Sequence, residues 1–183
     1  MAQVLRHGIR TNFAVISLLV VSTAEICEKI TEGLLKSTSA QKYRVLVHRC
    51  ESIDEIITKW NSLHVDFIVF AFDSRISLSL IEVEKNIFLV DQSFILYGQS
   101  CLVHANNVST HAMGINTDKI LELSYKYNLR LLSANVFVPE DCLYLGERII
   151  TLASAVLGQK SGYPLLNSLN QYRGLIEADE SVQ

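Results

Sequence analysis

The chain has 183 residues, a length that fits one domain built around one hydrophobic core. Hydrophobic residues make up 49% of it and charged residues only 19%, which is more apolar than a typical free-standing soluble domain, so we expect part of the surface to contact a partner protein. The net charge of -3, the pI near 5.9 and the scattered Lys and Arg residues exclude the basic patch that direct binding of nucleic acid requires.

The first elements along the chain are a predicted strand and a predicted helix. Phe13 to Val21 is a nearly continuous apolar run, which is typical of a strand covered on both faces. A helix is predicted from about Thr23 to Lys36, because Ile26, Ile30 and Leu34 recur at intervals of four residues. One face of this helix is therefore expected to pack against a sheet.

The turn between these two elements lies where a nucleotide-binding α/β protein carries its glycine-rich phosphate loop, but it contains no glycine. Ser22 and Glu25 have the spacing of a capping box, which predicts that their side chains satisfy the free N–H groups at the helix end. Aligned with the phosphate-loop pattern, Glu28 takes the position of the lysine and Lys29 that of the hydroxyl residue. A carboxylate about 4 Å from a phosphate oxygen costs about 4 kcal/mol at a surface-like dielectric, so no nucleotide binding is predicted.

Strands and helices continue to alternate along the rest of the chain. Four further strands are predicted, at Tyr43 to His48, Val65 to Phe72, Cys101 to Ala105 and Leu129 to Ala134. Four helices are predicted between and after them: Ser52 to Trp60, Ser77 to Val90, Asn116 or Thr117 to Tyr127, and Asp141 to Leu157. The first of these four opens with a second capping box, at Ser52 and Glu55. We expect the Val65 strand to be central and the Tyr43 strand to lie nearer an edge. The pattern predicts an α/β fold, a mostly parallel doubly wound sheet with helices on both faces.

A last helix is predicted to begin at Pro164, with apolar residues along one side as far as Ile176. Residues 177–183 are acidic and polar and are interpreted as a tail. Because no Pro- or Gly-rich linker divides the chain, residues 1–176 are predicted to form a single domain.

Other loops of the predicted sheet also lack nucleotide-binding motifs. No aspartate is followed by a glycine three residues later, and Asp73, which follows the central strand, is interpreted as a solvated loop carboxylate. The base-reading Asn-Lys-x-Asp pattern is reduced to Asn106 with Ser109 in the aspartate position. Ser133, Ala134 and Asn135 resemble the Ser-Ala-Lys triplet that cradles a guanine base, but the triplet alone is a weak signal.

The sequence offers no other catalytic or metal-binding pattern. Cys27, Cys50, Cys101 and Cys142 lie far apart in apolar surroundings, which predicts buried thiols. The five histidines show no metal-ligand spacing, so neither a metal nor a cofactor is predicted. No stretch reaches the roughly 18 apolar residues of a membrane span, and no membrane association is expected.

Four segments carry a resemblance to a known family: Val65 to Phe70, Val90 to Phe94, Cys101-Leu102 and Leu165 to Leu169. In these segments the chain resembles the centromere protein M (CENP-M) family, which is similar to a Ras-like GTPase that has lost nucleotide binding. The resemblance implies a Ras-like pseudo-GTPase domain and a non-catalytic subunit of the inner kinetochore, in the nucleus, which supports chromosome segregation. It also implies a monomer within a hetero-oligomer, in direct contact with the helical-repeat centromere protein I and joined by centromere proteins H and K.

Candidate contact residues are apolar side chains that the sheet core does not obviously need. Phe94 to Tyr97 fall between a predicted helix and a predicted strand, where loops are normally polar. The resemblance implies that Leu96 and Leu166 contact the helical-repeat partner. The alternative is that both segments simply cover a sheet edge. The predicted partner-binding residues are Phe94, Leu96, Leu165, Leu166 and Leu169.

Two alternatives to a kinetochore scaffold stay open from the sequence. One is a degenerate nucleotide hydrolase that uses Lys29 or a lysine supplied by a partner. The other is an adaptor of a trafficking complex, because nucleotide-free small-GTPase folds also occur there.

Overall fold

The chain is described from a computed structural model that places residues 5–7, 15–37, 43–59, 63–106 and 117–158. Its strands are β1 (Leu5–His7), β2 (Val15–Val21), β3 (Arg44–Cys50), β4 (Leu63–Val65), β5 (Phe67–Phe72), β6 (Ser100–His104) and β7 (Arg130–Ser133). Its helices are α1 (Ala24–Lys36), α2 (Ile53–Lys59), α3 (Ser79–Leu89), α4 (Gln92–Leu96), α5 (Thr117–Lys126) and α6 (Pro139–Val156).

The main sheet has five strands in the order β3-β2-β5-β6-β7, and every pair of neighbours that the structure describes is parallel. From β2 the chain moves one way to β3 and then crosses to the other side of β2 for β5, β6 and β7. The strand order therefore reverses between β2 and β5, which is where doubly wound sheets bind ligands. The predicted α/β class is confirmed, and the architecture is consistent with a Ras-like fold. The central position of β5 and the edge position of β3 are confirmed as well.

Two layers of helices cover the two faces of this sheet. Because successive strand residues point to opposite faces, Leu18 and Val20 pack with α1 and α6, whereas Leu19 and Val21 pack with the layer formed by α2 to α5. Strand β5 is buried along its whole length, as its apolar sequence predicts.

The predicted strand from Val65 to Phe72 is interrupted at Asp66, so the prediction of one continuous strand is wrong. Asp66 pairs with Ser17 of β2 instead: its carboxylate accepts the Ser17 N–H at 2.9 Å, and its own N–H donates to the Ser17 carbonyl at 2.8 Å. Val65 ends β4, which pairs in parallel with β1 in a separate two-stranded sheet. Asp66, whose carboxylate binds the backbone of β2, thus separates β4 from β5.

The second predicted capping box is confirmed in part. Ser52 Oγ accepts the N–H of Asp54 at 3.3 Å, while the N–H of Ile53 donates to Asn86 Oδ1 of α3 at 2.7 Å. A buried amide of the neighbouring helix therefore shares the capping of α2 with the local serine.

Several predicted features lie outside the described residues. They are the end of the second helix at Trp60, the start of the fourth at Asn116, the last helix from Pro164 with Leu165, Leu166 and Leu169, and the tail at 177–183. Within the described helices, none combines the length and the hydropathy that crossing a bilayer requires.

Candidate functional site

The candidate site is the crevice at the carboxyl ends of the sheet strands, centred on the reversal of strand order between β2 and β5. Four loops meet at this edge, following β2, β3, β5 and β6, and a fifth follows β7. The polar side chains of these loops decide whether the crevice can hold a ligand.

The capping box predicted at the start of α1 is wrong. Ser22 is buried and continues the backbone ladder, because its N–H donates to the Cys50 carbonyl at 3.1 Å. Thr23 is the N-cap, and its side chain makes no capping hydrogen bond among the described residues. The carboxylate of Glu51, which follows β3, instead accepts the N–H of Ala24 at 3.2 Å. The carboxylate that binds the backbone at this helix end therefore comes from the loop after a different strand.

The thiol of Cys27 lies beneath the same turn. Its Sγ is 3.3 Å from the carbonyl oxygen of Ser22 and 3.6 Å from that of Val20. Burial raises the pKa of this thiol to about 11, so it stays protonated at neutral pH and is a poor nucleophile. The prediction for the cysteines is confirmed, because all four lie in the described residues as buried, unbridged thiols.

Lys29, the residue on which a degenerate hydrolase would depend, forms an ion pair along its own helix. Its Nζ lies 3.7 Å from Glu32 Oε2, and the side chain is partly exposed. Glu28, in the lysine position of the phosphate-loop pattern, is exposed to solvent. Within the part of the chain that the structure describes, no partner from another loop holds either side chain toward the crevice.

Asp73 is buried, with 3% of its surface exposed, so its interpretation as a solvated loop carboxylate is wrong. Arg75 reaches back to it: Nη2 lies 2.6 Å from Oδ2, Nε lies 3.0 Å from Oδ2, and the Arg75 N–H donates to Oδ1 at 2.9 Å. Burial acts to raise the pKa of Asp73, but these hydrogen bonds outweigh burial and hold the pKa below its usual value. Asp73 is therefore an ionised, paired carboxylate inside the crevice.

The Arg75 guanidinium also contacts the loops after β6 and β7. The Asn106 amide is oriented so that its oxygen faces Arg75. In this orientation Asn106 Oδ1 accepts from Arg75 Nε at 2.9 Å and from Arg75 Nη2 at 3.2 Å. The guanidinium carbon lies 5.7 Å from the ring centroid of Phe137, within the range of a cation–π interaction. One side chain thus joins three of the loops at which a ligand would bind.

Beneath the guanidinium, Ser74 and His104 form a buried polar pair that sequence reasoning missed. Ser74 Oγ lies 2.8 Å from His104 Nε2 and 3.3 Å from the Asn106 carbonyl oxygen, and the His104 ring stacks on Phe72 with centroids 5.2 Å apart. Burial lowers the pKa of His104, although the charge of Asp73 opposes this effect. A serine–histidine bond can indicate nucleophilic catalysis, but Ser74 has 0% exposure and no access to a substrate. The pair connects the ends of β5 and β6.

The triplet that resembled a guanine cradle forms a local turn. Asn135 Oδ1 accepts the Phe137 N–H at 3.1 Å, and the Ala134 N–H extends the ladder to the His104 carbonyl at 3.1 Å. Asn135 thus stabilises the turn that carries Phe137 toward Arg75. Among the described residues, no group of three or more His, Cys, Asp or Glu side chains is arranged to hold a metal ion.

The predicted contact segment is the short helix α4 rather than a loop, and its residues differ sharply in exposure. Asp91 caps the helix by accepting the Ser93 N–H at 2.8 Å. Phe94 is 0% exposed and belongs to the core, so the structure places it away from the surface expected of a contact residue. Leu96 is 78% exposed. Of the predicted contact residues in this segment, only Leu96 is presented to solvent.

Sequence reasoning also missed an exposed apolar stripe on α3. Its members recur at helical spacing on the outer side of the helix, beginning at the N-cap, and are Leu78, Ile81, Phe88 and Leu89. Phe88 meets Tyr127 edge-on, with ring centroids 5.8 Å apart, next to the ion pair of Lys126 with Glu84. The sequence did indicate an exposed apolar face, because α3 carries more apolar residues than one buried face needs.

Comparison with known families gives one finding about identity. The family model described as Centromere protein M (CENP-M) matches residues 10–173, which is most of the chain. Comparison with curated proteins gives no match. The chain therefore belongs to the centromere protein M family, whose members are centromere and kinetochore proteins of the nucleus.

Proposed function

We propose that this protein is a non-catalytic structural subunit of the inner kinetochore, which stabilises a complex with centromere proteins H, I and K. The observation that carries the proposal is the crevice at the strand ends, where Arg75 bonds to both Asp73 and Asn106. The chain's own side chains thus bond to one another at the edge of the sheet where doubly wound folds bind ligands.

The proposed lack of catalysis follows from the state of each reactive group. Cys27 is a protonated thiol, Ser74 has no solvent access, and Asp73 is paired with Arg75. A catalytic group must reach a substrate, either directly or through one water molecule. None of these three side chains combines reactivity with access.

We test this part of the proposal on the assembled complex with GTP and Mg²⁺. We expect no turnover above a buffer control, and no difference between the wild-type protein and Lys29→Ala. Turnover that disappears in Lys29→Ala would establish the degenerate hydrolase instead.

The proposed contact with centromere protein I uses Leu96 of α4. The buried Phe94 anchors this helix to the core, so Leu96 projects from a fixed support beside the half-exposed Tyr97. Burying one such leucine against a partner contributes roughly 1.5–3 kcal/mol, which corresponds to more than tenfold in affinity. The predicted second patch, formed by Leu165, Leu166 and Leu169, is proposed to contact the same partner.

The test is co-elution of the full chain with centromere proteins H, I and K. We expect Leu96→Glu and Leu166→Glu each to abolish co-elution while the circular dichroism of the isolated variant stays that of the wild type. Leu121→Glu is the matched control, because Leu121 is an exposed leucine on α5, outside both patches. Unchanged co-elution of Leu96→Glu would remove α4 from the contact.

A further inference from the structure

We propose that the outer edge of β3 binds an extended, acidic segment of a partner protein, which adds one strand to the main sheet. This surface is separate from the contact proposed for Leu96 on α4 and does not depend on it. The backbone of β3, its apolar side chains and its charge each support such a contact.

The backbone of β3 pairs along its whole length with β2, and only on one side. The Cys50 carbonyl accepts the Ser22 N–H, and the backbone groups of successive strand residues point alternately to opposite sides. The N–H and C=O groups of Val45, Val47 and Arg49 therefore point away from β2. Among the residues that the structure describes, none of these groups has a hydrogen-bond partner. Such an edge is a template for pairing with another chain.

The length of β3 also suits an added strand. Proteins commonly blunt a sheet edge by keeping it short, or with a proline, a bulge or a charge. β3 has seven residues, no proline and no bulge in its register with β2. The strand at the opposite edge, β7, has only four residues. Charge is therefore the one device left on β3, and it selects which strand can pair there.

Apolar side chains lie on both faces of the sheet next to this edge. Val45 and Val47 are half-buried and pack against the core on the α1 side. Leu46 points to the opposite face and is 42% exposed. An added strand with apolar residues opposite these three would cover them more fully, and cross-strand pairs of this kind stabilise a sheet.

The charge of β3 is entirely positive. Arg44 and Arg49 are exposed, and neither forms an ion pair within the described part of the chain. The strand has no acidic residue, and burial lowers the pKa of His48, so this histidine is neutral at pH 7. Opposite charges on adjacent strands are favourable pairs. The incoming strand should therefore carry two acidic residues with the five-position spacing of the arginines.

Charge and composition favour a partner protein over two other occupants. A second copy of β3 would bring the arginines of both copies together, and like charges on adjacent strands destabilise the pairing. The acidic residues of this chain at 177–183 stand among residue types that are depleted in strands, and only Ala178 and Val182 are apolar there. Neither occupant would both cover the apolar side chains of β3 and match its charge.

The test is amide hydrogen exchange of the full chain, followed by NMR residue by residue, with and without a synthetic peptide. The probe is a peptide of valine and threonine with two glutamates five positions apart, and its control has lysines in place of the glutamates. At saturation with the probe, the amides of Val45, Val47 and Arg49 are expected to exchange at least roughly tenfold more slowly. The lysine peptide is expected to leave their exchange unchanged.

A charge-reversed variant tests the selection by charge. Arg44→Glu combined with Arg49→Glu should bind the lysine peptide instead of the probe and keep the circular dichroism of the wild type, because both side chains are exposed. The matched control is Lys119→Glu combined with Arg130→Glu, which makes the same change in net charge at exposed residues of α5 and β7. This control should still prefer the probe.

Four results would overturn the proposal. One is the absence of saturable binding of the probe, and another is equal slowing of exchange by both peptides. A third is slow exchange of the β3 edge amides in the free chain that becomes fast when residues 177–183 are deleted, because the chain's own acidic segment would then occupy the edge. The fourth is protection that increases with protein concentration, which would show that two copies pair.

Discussion

Gly33 of α1 and Gly146 of α6 meet backbone to backbone on the side of the sheet that these two helices cover. A Cβ on Gly146 would overlap the Gly33 carbonyl and lie 2.9 Å from the Leu34 nitrogen, and a Cβ on Gly33 would lie 2.7 Å from Cys142 Sγ. The Cys142 thiol also donates to the Lys29 carbonyl at 2.9 Å. The two helices therefore approach as closely as their glycines allow.

We predict that Gly146→Ala destabilises the fold, although alanine favours helix. The gain in helix propensity is about 0.5–1 kcal/mol, whereas forcing extra volume into a packed contact costs about 1–3 kcal/mol. Because the added Cβ would clash with backbone atoms, which cannot move aside easily, the packing cost should exceed the gain in helix propensity. Chemical denaturation measures the difference, and Glu28→Ala, on the exposed side of α1, is the control and should stay close to the wild type. A more stable Gly146→Ala protein would show that the helices can separate at little cost.

Truncation should destabilise the protein strongly at one residue of α4 and hardly at all at another. Phe94→Ala is predicted to lower the free energy of unfolding by about 3–5 kcal/mol, because Phe94 lies in the core. Leu96→Ala should change it by less than about 0.5 kcal/mol, because most of that side chain already faces water. Thermal denaturation of both variants checks the pair. Similar losses of unfolding free energy in the two variants would mean that Leu96 packs against the domain. Leu96 would then not be available as a contact residue.

The class of the main sheet, the central place of β5 and the edge place of β3 could be predicted, because β2 and β5 are nearly continuous apolar runs whereas β3 alternates. Strands β1 and β4 could not, since each has three residues and they pair across more than fifty positions. The break at Asp66 depends on Ser17 of another strand. Helix α4 has five residues, too few for a helical period to show.

The site was less predictable than the fold. A missing phosphate loop is visible in the sequence, and so is the acidic character of the turn. The contacts of Arg75, which pairs with Asp73, are not visible, because they involve Asn106 and Phe137 from the loops after two other strands. Likewise, Ser74 meets His104 only because Phe72 pairs with His104 in the register of β5 and β6. The alternation of elements predicts a parallel sheet, but it does not predict the register of its strands.

The stability of the fold should fall as the pH drops below neutral, and His104 should be one cause. Burial lowers the pKa of His104 in the folded state below its ordinary value of about 6.5, so between these two values the unfolded chain binds a proton that the folded chain does not. The stability is therefore present above about pH 6.5 and is lost as the pH falls toward the folded pKa. His48, whose pKa burial also lowers, should add to the same trend.

The measurement is the free energy of unfolding between pH 7.5 and 5 in the wild type and in His104→Gln. Glutamine can still bond to Ser74 but does not titrate, so the variant should show a flatter pH dependence whatever its absolute stability. Adding His48→Gln should flatten it further. Parallel curves for the wild type and His104→Gln would mean that His104 accepts a proton in the folded protein as easily as in the unfolded chain.

The contact between Glu51 and Ala24 leads to a prediction that separates charge from hydrogen bonding. In Glu51→Gln the amide oxygen can still accept the Ala24 N–H, but the negative charge at the start of α1 is gone. Because a carboxylate at a helix N-terminus contributes about 0.3–1 kcal/mol at low ionic strength, the variant should be less stable by about that amount. Thermal unfolding at low salt and at high salt checks the cause, since salt screens the charge–dipole term and the two proteins should then converge. Equal stability at low salt would show that Glu51 acts at this helix end only as a hydrogen-bond acceptor.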